Sequence, residues 1–216
     1  MKEGKTKGLD VPQFLLRIFI RRKRRRIHVP KIGNSLMQSH QYIERFVEEG
    51  DIVIDATAGN GNDTVFLAKL VGETGRVFSF DIQKVALDKT REKLISLGLA
   101  VRVELINDGH ENIDKYVKNN IKAVMFNLGY LPSGDHKIGT KPETTISAIE
   151  KSLNSLVKGG IISIVVYHGG DSGFEEKIQV LEYLEKLDPK MYSVMKTEFI
   201  NQKNCPPILV CIEKIG

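Results

Sequence analysis

The chain has 216 residues, 41% of them hydrophobic and 27% charged, a balance typical of one globular domain. Its two cysteines, Cys205 and Cys211, form no Cys-x-x-Cys motif, which argues against a disulfide framework and suits a reducing, cytoplasmic setting. Because no apolar run approaches the length of a transmembrane helix, we expect no membrane partner.

Positive charge is concentrated at the N-terminus. Residues 1–31 carry a formal charge of +9, whereas the whole chain carries +5, so the remaining residues are net acidic. The centre of this segment is Arg21, Arg22, Lys23, Arg24, Arg25 and Arg26. Such a run is typical of an arm that contacts nucleic-acid phosphates and equally of a solvated tail, and less often of a transit peptide. We therefore expect residues 1–35 to be a poorly ordered basic extension and residues 36–216 to form the folded domain.

Beyond the extension, short apolar runs alternate with amphipathic segments. Strands are predicted at Asp51–Ala56, Arg76–Phe80, Val101–Ile106, Lys122–Phe126, Ile161–Tyr167, Tyr192–Phe199 and Pro207–Glu213. Helices are predicted at Met37–Glu48, Asp63–Val71, Val85–Leu97, His110–Val117, Glu143–Val157 and Gly173–Leu187. This alternation predicts an α/β fold with a mainly parallel sheet and helices on both faces. The last two strands are separated by a loop, which predicts a hairpin and hence one antiparallel strand.

A glycine-rich turn follows the first predicted strand. The segment Val53–Thr64 runs from an apolar strand through Gly59-Asn60-Gly61-Asn62 into a helix. Glycines let the backbone bend tightly and approach a ligand closely. Asp63 or Thr64 is suitably placed to cap the helix. In an open α/β sheet, ligands bind at the carboxyl ends of strands, so the turn predicts a cofactor site, the alternative being an ordinary strand–helix turn.

The second predicted strand ends in Asp81, whose carboxylate can accept both hydroxyls of a ribose. This arrangement occurs with NAD and with S-adenosylmethionine (SAM). A dinucleotide fingerprint requires a third glycine where this chain has Thr64. Asp55, just before the turn, is instead suited to the ammonium group of SAM. We therefore favour SAM, with an NAD-linked oxidoreductase as the alternative.

The third predicted strand leads into Asn107–Asn112, which includes Gly109 and His110. A polar residue here is suited to an adenine ring, and His110 could meet it by hydrogen bonding or stacking. The alternative is a helix cap or a histidine satisfied within the core.

The fourth predicted strand is followed by Asn127-Leu128-Gly129-Tyr130. This resembles the Asn-Pro-Pro-Tyr signature of amino-group methyltransferases, with Leu128-Gly129 in place of the two prolines. The Asn127 side-chain oxygen can accept amine hydrogens and direct the nitrogen lone pair, while Tyr130 can stack on a planar base. The alternative is a strand-end turn with a buried tyrosine.

Other polar loops also lie at element boundaries, where substrate groups often bind. Asp135 or His136, after Tyr130, are candidates to take a proton from an amine, and Asn201 and Gln202 precede the last strand. Turn chemistry explains the last loop equally well. The five histidines show no metal-ligand spacing, so we expect no metal.

Together these segments resemble the MnmM-like (YtqB) family, small bacterial methyltransferases formerly described as rRNA methylases. The resemblance spans about residues 36–213 and rests on Ser39-His40, Asp55–Thr64, Phe80–Gln83, His110–Asn112, Phe126–Pro132, Thr144-Thr145, Asn201-Gln202 and Pro206-Pro207. The extension before residue 34 and Gly169-Gly170, where the family has Gly-His, depart from it.

The resemblance implies a Rossmann-like class I methyltransferase with a seven-stranded, mainly parallel sheet. It implies SAM contacts by Asn60, Asn62, Asp81, Gln83, Gly109 and His110. It also implies methylation of 5-aminomethyl(-2-thio)uridine at the tRNA wobble position. An rRNA or small-molecule methyltransferase and a non-catalytic RNA-binding protein remain the alternatives, and a homodimer is one assembly that the sequence allows.

Overall fold

The structure, a computed structural model, describes residues 32–118, 120–129, 139–168 and 171–216, with the side chains of 171–173 omitted. The basic run Arg21–Arg26 and the predicted site residues Tyr130, Asp135 and His136 lie outside these ranges. The first described helix begins at Ser35, next to the predicted domain boundary.

Seven strands and six α-helices alternate along the described chain. The strands are β1 (Ile52–Asp55), β2 (Arg76–Phe80), β3 (Val103–Ile106), β4 (Ile121–Leu128), β5 (Leu156–Val166), β6 (Tyr192–Thr197) and β7 (Ile208–Lys214). The helices are α1 (Ser35–Phe46), α2 (Asn62–Leu70), α3 (Lys84–Ser96), α4 (Ile113–Tyr116), α5 (Pro142–Ser155) and α6 (Asp171–Leu184). Short 3₁₀ turns at Ala100–Arg102 and His110–Asn112 precede β3 and α4.

The strands form one sheet in the order β3-β2-β1-β4-β5-β7-β6. Pairing is parallel from β3 across to β5, whereas β7 runs antiparallel to both β5 and β6. The loop between β6 and β7 is too short for a crossover helix, so β7 must reverse direction. The predicted seven-stranded sheet with one antiparallel strand is confirmed.

The sheet is covered on both faces. On one face, Ile149 of α5 and Val180 of α6 pack in a cluster with Ile54, Phe80 and other strand residues. On the other face, Ile43 of α1 and Leu67 of α2 pack with Val53 and Val77. In the sequence these two valines directly precede Ile54 and Phe78, which pack on the first face. Alternate residues of a strand point to opposite faces, so strands buried on both sides read as continuous apolar runs. The run predicted as a central strand, Ile161–Val166, is fully buried between β4 and β7.

Two of the element boundaries that differ from prediction are explained by specific contacts. Helix α1 begins two residues early because Asn34 caps it, its side chain accepting the Met37 backbone N–H at 2.9 Å. Strand β5 begins at Leu156, directly after α5, whereas the sequence predicts its start at Ile161. Leu156 still pairs with Ile121, and the register shift that follows absorbs the two glycines as an irregularity within the strand.

Among the described residues, no helix combines the length and the apolar character needed to cross a bilayer.

Candidate active site

A cavity of about 790 Å³ lies at the carboxyl ends of the parallel strands. Connections from β1 run toward β2 and β3, whereas β4 leads to β5 on the other side, so the β1–β4 boundary is the topological switch point. Ligands of open α/β folds bind at this position. The predicted site residues that line the cavity are Gly59, Asn60, Asn62, Asp81, Gln83, Gly109, His110 and Asn127.

The glycine turn between β1 and α2 forms one wall. Gly59 and Gly61 have φ angles of 51° and 72°, in the left-handed region that favours glycine. A Cβ atom on Gly61 would lie 2.7 Å from the Thr90 hydroxyl, which itself donates to the Gly59 carbonyl. The turn is therefore packed closely against α3 from behind, and its backbone faces the cavity.

Asp81 connects this turn to the end of β2. One carboxylate oxygen accepts the Gly59 N–H at 2.9 Å, and the other accepts the Gln83 N–H at 2.8 Å. Each oxygen keeps a second lone pair, so two ligand hydroxyls can still bind. The arrangement fits the ribose role predicted for Asp81.

Asn60 and Asn62 are exposed at the rim of the same wall. Lys93 of α3 donates to the Asn60 carbonyl at 2.9 Å and to Asn62 Oδ1 at 2.6 Å. The lysine holds both residues in place at the N-terminus of α2. The dipole of this helix favours a negatively charged group at the same end.

Asp55 lies behind the wall, with no exposed surface. Its carboxylate accepts the Thr57 N–H at 3.1 Å and the Thr64 hydroxyl at 2.6 Å, and Ser79 in turn contacts Thr64. Burial, followed by the negative charge of Asp63, raises the pKa of Asp55 from 3.8 to about 7. These contacts place Asp55 as a support of the turn, whereas its predicted contact with a ligand ammonium group stays a prediction.

The predicted cap of α2 is wrong. The N-cap position is Gly61, a residue without a side chain that could make the capping hydrogen bond. The Thr64 hydroxyl donates to Asp55, and the Asp63 carboxylate contacts His40 and Asn127, so both side chains are directed away from the helix N-terminus.

His110 lies at the start of the turn after β3 and is 8% exposed. Its Nδ1 lies 3.3 Å from the Ala56 carbonyl, and the ring meets Phe126 edge-on. A carbonyl only accepts, so Nδ1 carries the proton and Nε2 is left as an acceptor. That Nε2 is buried and has no partner within the described part of the protein. Burial lowers the pKa of His110, which favours the neutral ring.

Asn127 lies near the end of β4, across the switch point from the glycine turn. Its backbone N–H donates to the Thr57 hydroxyl at 2.8 Å, and its side-chain Nδ2 donates to Asp63 Oδ2. Asn127 Oδ1 is buried and has no hydrogen-bond partner among the described residues. Asn127 lines the cavity, so this buried acceptor lies beside the cavity at the position where the sequence predicts an amine-binding residue.

Asp63 and His40 complete this part of the site, although neither was predicted as a site residue. Asp63 is 5% exposed and lines the cavity, and its Oδ1 lies 2.6 Å from His40 Nε2. The sequence offered two signals: an acid directly after the glycine turn, interpreted as a cap, and His40 within the segment that resembles the family.

The opposite wall comes from the ends of β4 and β5 and the loop before β7. Tyr167 and His168 line it, and His168 is 7% exposed with its Nδ1 unpartnered among described residues. Asn204 and Cys205 also line it and adopt positive φ angles of 66° and 49°. The predicted Asn201 and Gln202 are exposed and lie outside the lining, because the loop turns inward only after them.

A buried carboxylate supports this wall from outside the cavity. Glu176 of α6 is 2% exposed and accepts the hydroxyls of Thr140 and Thr145, both at 2.7 Å. The Thr140 hydroxyl also accepts the Gly129 N–H at 3.0 Å. Burial raises the pKa of Glu176. These contacts connect α5 and α6 to the end of β4.

No cluster of three or more side chains suited to a metal ion occurs within the described ranges. The site instead combines a glycine turn, an acid after β2 and a polar strand end after β4, at the switch point of this sheet. These features and the comparisons below define the class of the protein: it is a SAM-dependent methyltransferase.

The comparisons also give the family. The family described as "Putative rRNA methylase" matches residues 77–213, and the chain belongs to it. A relative from Arabidopsis thaliana, "tRNA (mnm(5)s(2)U34)-methyltransferase, chloroplastic", is 36% identical over 186 residues, covering 82% of this chain and 68% of the relative.

Solved structures agree with this assignment. A protein from Clostridium thermocellum, also described as an rRNA methylase, is 64% identical, with a TM-score of 0.85 over 86% of this chain and 100% of the other. A methyltransferase from Streptococcus mutans, crystallised in complex with SAH, is 46% identical, with a TM-score of 0.79 over 85% of this chain and 99% of the other.

Proposed function

We propose that this chain methylates the amino nitrogen of 5-aminomethyl(-2-thio)uridine at the wobble position of tRNA, converting the aminomethyl group to a methylaminomethyl group. The observation that carries the proposal is Asn127 Oδ1, a buried acceptor without a partner among the described residues, next to the cavity. A buried acceptor left unpaired is costly, so a ligand that donates a hydrogen bond there is favoured.

The residues of the β1–β3 side fit SAM. Asp81 has lone pairs for two hydroxyls, and His110 Nε2 is a buried acceptor suited to an amino group such as that of adenine. Asn60, Asn62, Gln83 and Gly109 complete this side, and their contacts with SAM are part of the proposal. When bound, SAM supplies a methyl group attached to a positively charged sulfur.

On the other side, the chain has to present a nitrogen lone pair. An alkylamine with a lysine-like pKa of about 10.4 is mostly protonated near neutral pH. Asn127 Oδ1 can accept one N–H of the neutral amine and thereby fix the direction of its lone pair, an alignment that is a large source of rate enhancement. Tyr130, predicted to stack on the base, and Asp135 or His136, predicted to take the proton, complete the proposal as sequence-based predictions.

The RNA substrate is supported by the relatives. The printed name of the Arabidopsis relative specifies a modified uridine at position 34 of tRNA, and the family description specifies RNA. The identity to that relative extends over most of this chain.

The basic extension, which we propose as an RNA-binding arm, can be tested separately. Deletion of residues 1–31 removes 11 basic side chains that could displace counterions from tRNA. We expect weaker tRNA binding with a shallower salt dependence, and unchanged SAM affinity by calorimetry. An unaltered salt slope would identify the extension as a solvated tail.

The substrate is tested by incubating the protein with labelled SAM and tRNA from a strain that lacks the methylaminomethyl modification, followed by nucleoside analysis. We expect the label in 5-methylaminomethyl(-2-thio)uridine. Parallel reactions contain ribosomal RNA or a small-molecule extract. Label in either of these and none in tRNA would refute the tRNA proposal, and label in no fraction would favour a non-catalytic RNA-binding protein.

A further inference from the structure

Asp63 is the point at which three elements meet. It lies in the first turn of α2, is 5% exposed and faces the cavity. Its Oδ1 atom is hydrogen-bonded to His40 Nε2 of α1, and its Oδ2 atom accepts a hydrogen bond from Asn127 Nδ2 of β4. These partners are 23 and 64 residues away in sequence, so the fold rather than local geometry brings them together.

We propose that Asp63 is a positioning residue that determines the orientation of the Asn127 side-chain amide, that is, which of its Nδ2 and Oδ1 atoms faces Asp63. We further propose that His40 holds Asp63 in place for this purpose. The inference rests on the proposed function, because it concerns the residue that we propose to orient the substrate amine.

The chemical reason is that a carboxylate only accepts hydrogen bonds. The Asn127 amide must therefore turn its NH₂ toward Asp63, which leaves Oδ1 on the other side, buried and unpartnered among the described residues. If the amide were flipped, two oxygens would face each other and an NH₂ group would face the amine. A donor at that position cannot accept an N–H of the substrate, so the flipped amide would be inactive.

His40 restrains the carboxylate from the opposite side. Its Nε2 lies 2.6 Å from Asp63 Oδ1, and its ring stacks on Phe66 at a centroid distance of 4.0 Å and an interplanar angle of 4°. Each oxygen of Asp63 thus has a partner in a different element, which restricts rotation of the carboxylate.

Helix α1 does not depend on this contact for its attachment to the sheet. Ser39 is fully buried and its hydroxyl lies 2.6 Å from the Ser163 hydroxyl of β5, while the Ser35 hydroxyl donates to the Pro207 carbonyl. Changes at His40 can therefore alter the orientation of Asp63 and leave the helix in place.

The first test compares the single variant Asp63→Leu with a double variant in which the carboxylate of residue 63 and the amide of residue 127 change places. We expect Asp63→Leu, which removes the acceptor at similar size, to lower kcat for tRNA methylation on the order of 100-fold, since misplacing the amide by about 1 Å has that effect. SAM affinity and KM for tRNA should change much less.

The double variant Asp63→Asn with Asn127→Asp restores the pair with the roles reversed. The new amide donates to the new carboxylate, whose second oxygen still faces the amine. We expect kcat to rise on the order of 10-fold above that of Asn127→Asp alone, in which two carboxylates face each other. Asp51→Asn is the control, because Asp51 accepts the Glu48 N–H at the opposite end of β1.

The second test uses variants of His40 and remains valid even if a change at Asp63 prevents folding. His40→Phe keeps an aromatic ring against Phe66 but removes the contact with Asp63, whereas His40→Gln retains a side-chain donor. We expect kcat to fall several-fold to about 10-fold in His40→Phe, less than for a direct misplacement of the amide, and to recover in His40→Gln.

The outcomes separate this inference from the proposed function. Near-normal kcat in Asp63→Leu, no gain in the double variant, or equal kcat in His40→Phe and His40→Gln would each overturn the positioning role. Near-normal kcat in Asn127→Ala would instead overturn the proposed role of Asn127 itself.

Discussion

The two walls of the cavity are built differently. In the β1–β3 wall (residues 57–62, 81–83 and 108–111), carboxylates hold backbone N–H groups: Asp81 accepts from Gly59 and Gln83, and Asp108 accepts from Gly109. The β4–β7 wall (residues 127–129, 167–168 and 204–207) has two buried side-chain atoms without a partner among the described residues, Asn127 Oδ1 and His168 Nδ1, whereas the β1–β3 wall has one, His110 Nε2.

This difference indicates a division of tasks. A wall whose backbone is held by carboxylates is preorganised and can bind the same cofactor in many enzymes of one fold. A wall with more unpaired buried polar atoms is suited to discriminate between substrates, because a ligand without matching groups leaves those atoms buried and unsatisfied. The β1–β3 wall should therefore govern cofactor affinity, and the β4–β7 wall should govern turnover.

The largest effect is expected at Asn127. Asn127→Ala removes the acceptor that we propose directs the amine, and a misalignment of about 1 Å costs on the order of 100-fold in rate. Methyl transfer to tRNA that lacks the modification should fall by this order, while SAM affinity measured by calorimetry changes little. A folded variant with near-normal turnover would contradict this role of Asn127 and would indicate that the methyl acceptor is another chemical group.

A smaller effect, on binding rather than turnover, is expected at Asp81. Asp81→Ala removes charge-assisted hydrogen bonds and should weaken SAM binding by about 1.5–3 kcal/mol, or roughly 10- to 100-fold. Asp88→Ala is the control, because Asp88 is an exposed acid on the neighbouring α3. Equal SAM affinities of the two variants would argue against ribose binding by Asp81.

His110 and His168 give a matched comparison of the two walls. Both are buried histidines with one unpartnered ring nitrogen among the described residues. His110→Phe keeps a ring but loses the acceptor, so SAM affinity should fall by about 0.5–1.5 kcal/mol. His168→Phe should leave SAM affinity unchanged. The division between walls would be refuted if His168→Phe had the larger effect on calorimetric SAM affinity.

The last expected effect is on stability rather than on turnover or binding, and it concerns the pH dependence of unfolding. Because burial and Asp63 raise the pKa of Asp55 from 3.8 to about 7, the folded protein binds this proton more tightly than the unfolded chain does. The contribution of Asp55 to the free energy of unfolding is therefore highest at low pH, falls as pH rises from about 4 to 7, and is constant above. Urea titrations at several pH values should show that Asp55→Asn removes this decline. Parallel curves of the free energy of unfolding against pH for both proteins would contradict the raised pKa of Asp55.

Much of the fold was predictable because its signals are local. Gly59 and Gly61 mark a turn after a strand, Asp81 ends the next strand, and the absence of a helix before β7 requires an antiparallel strand. Each feature depends on a few consecutive residues and on the period of two in a strand. The start of β5 was not predictable in this way: the sequence predicts a strand from Ile161, but the pairing of Leu156 with Ile121 begins the strand five residues earlier.

The sequence by itself determined the sheet, the class of cofactor site and the candidate role of Asn127. Only the tertiary structure decided how the polar groups pair. It placed Asp55 behind the wall and brought Asp63 between His40 and Asn127. The physical reason is that a carboxylate binds whichever donors the fold brings within about 3 Å. The order of the strands, which places β4 beside β1, and the docking of α1 supply those donors from distant parts of the chain.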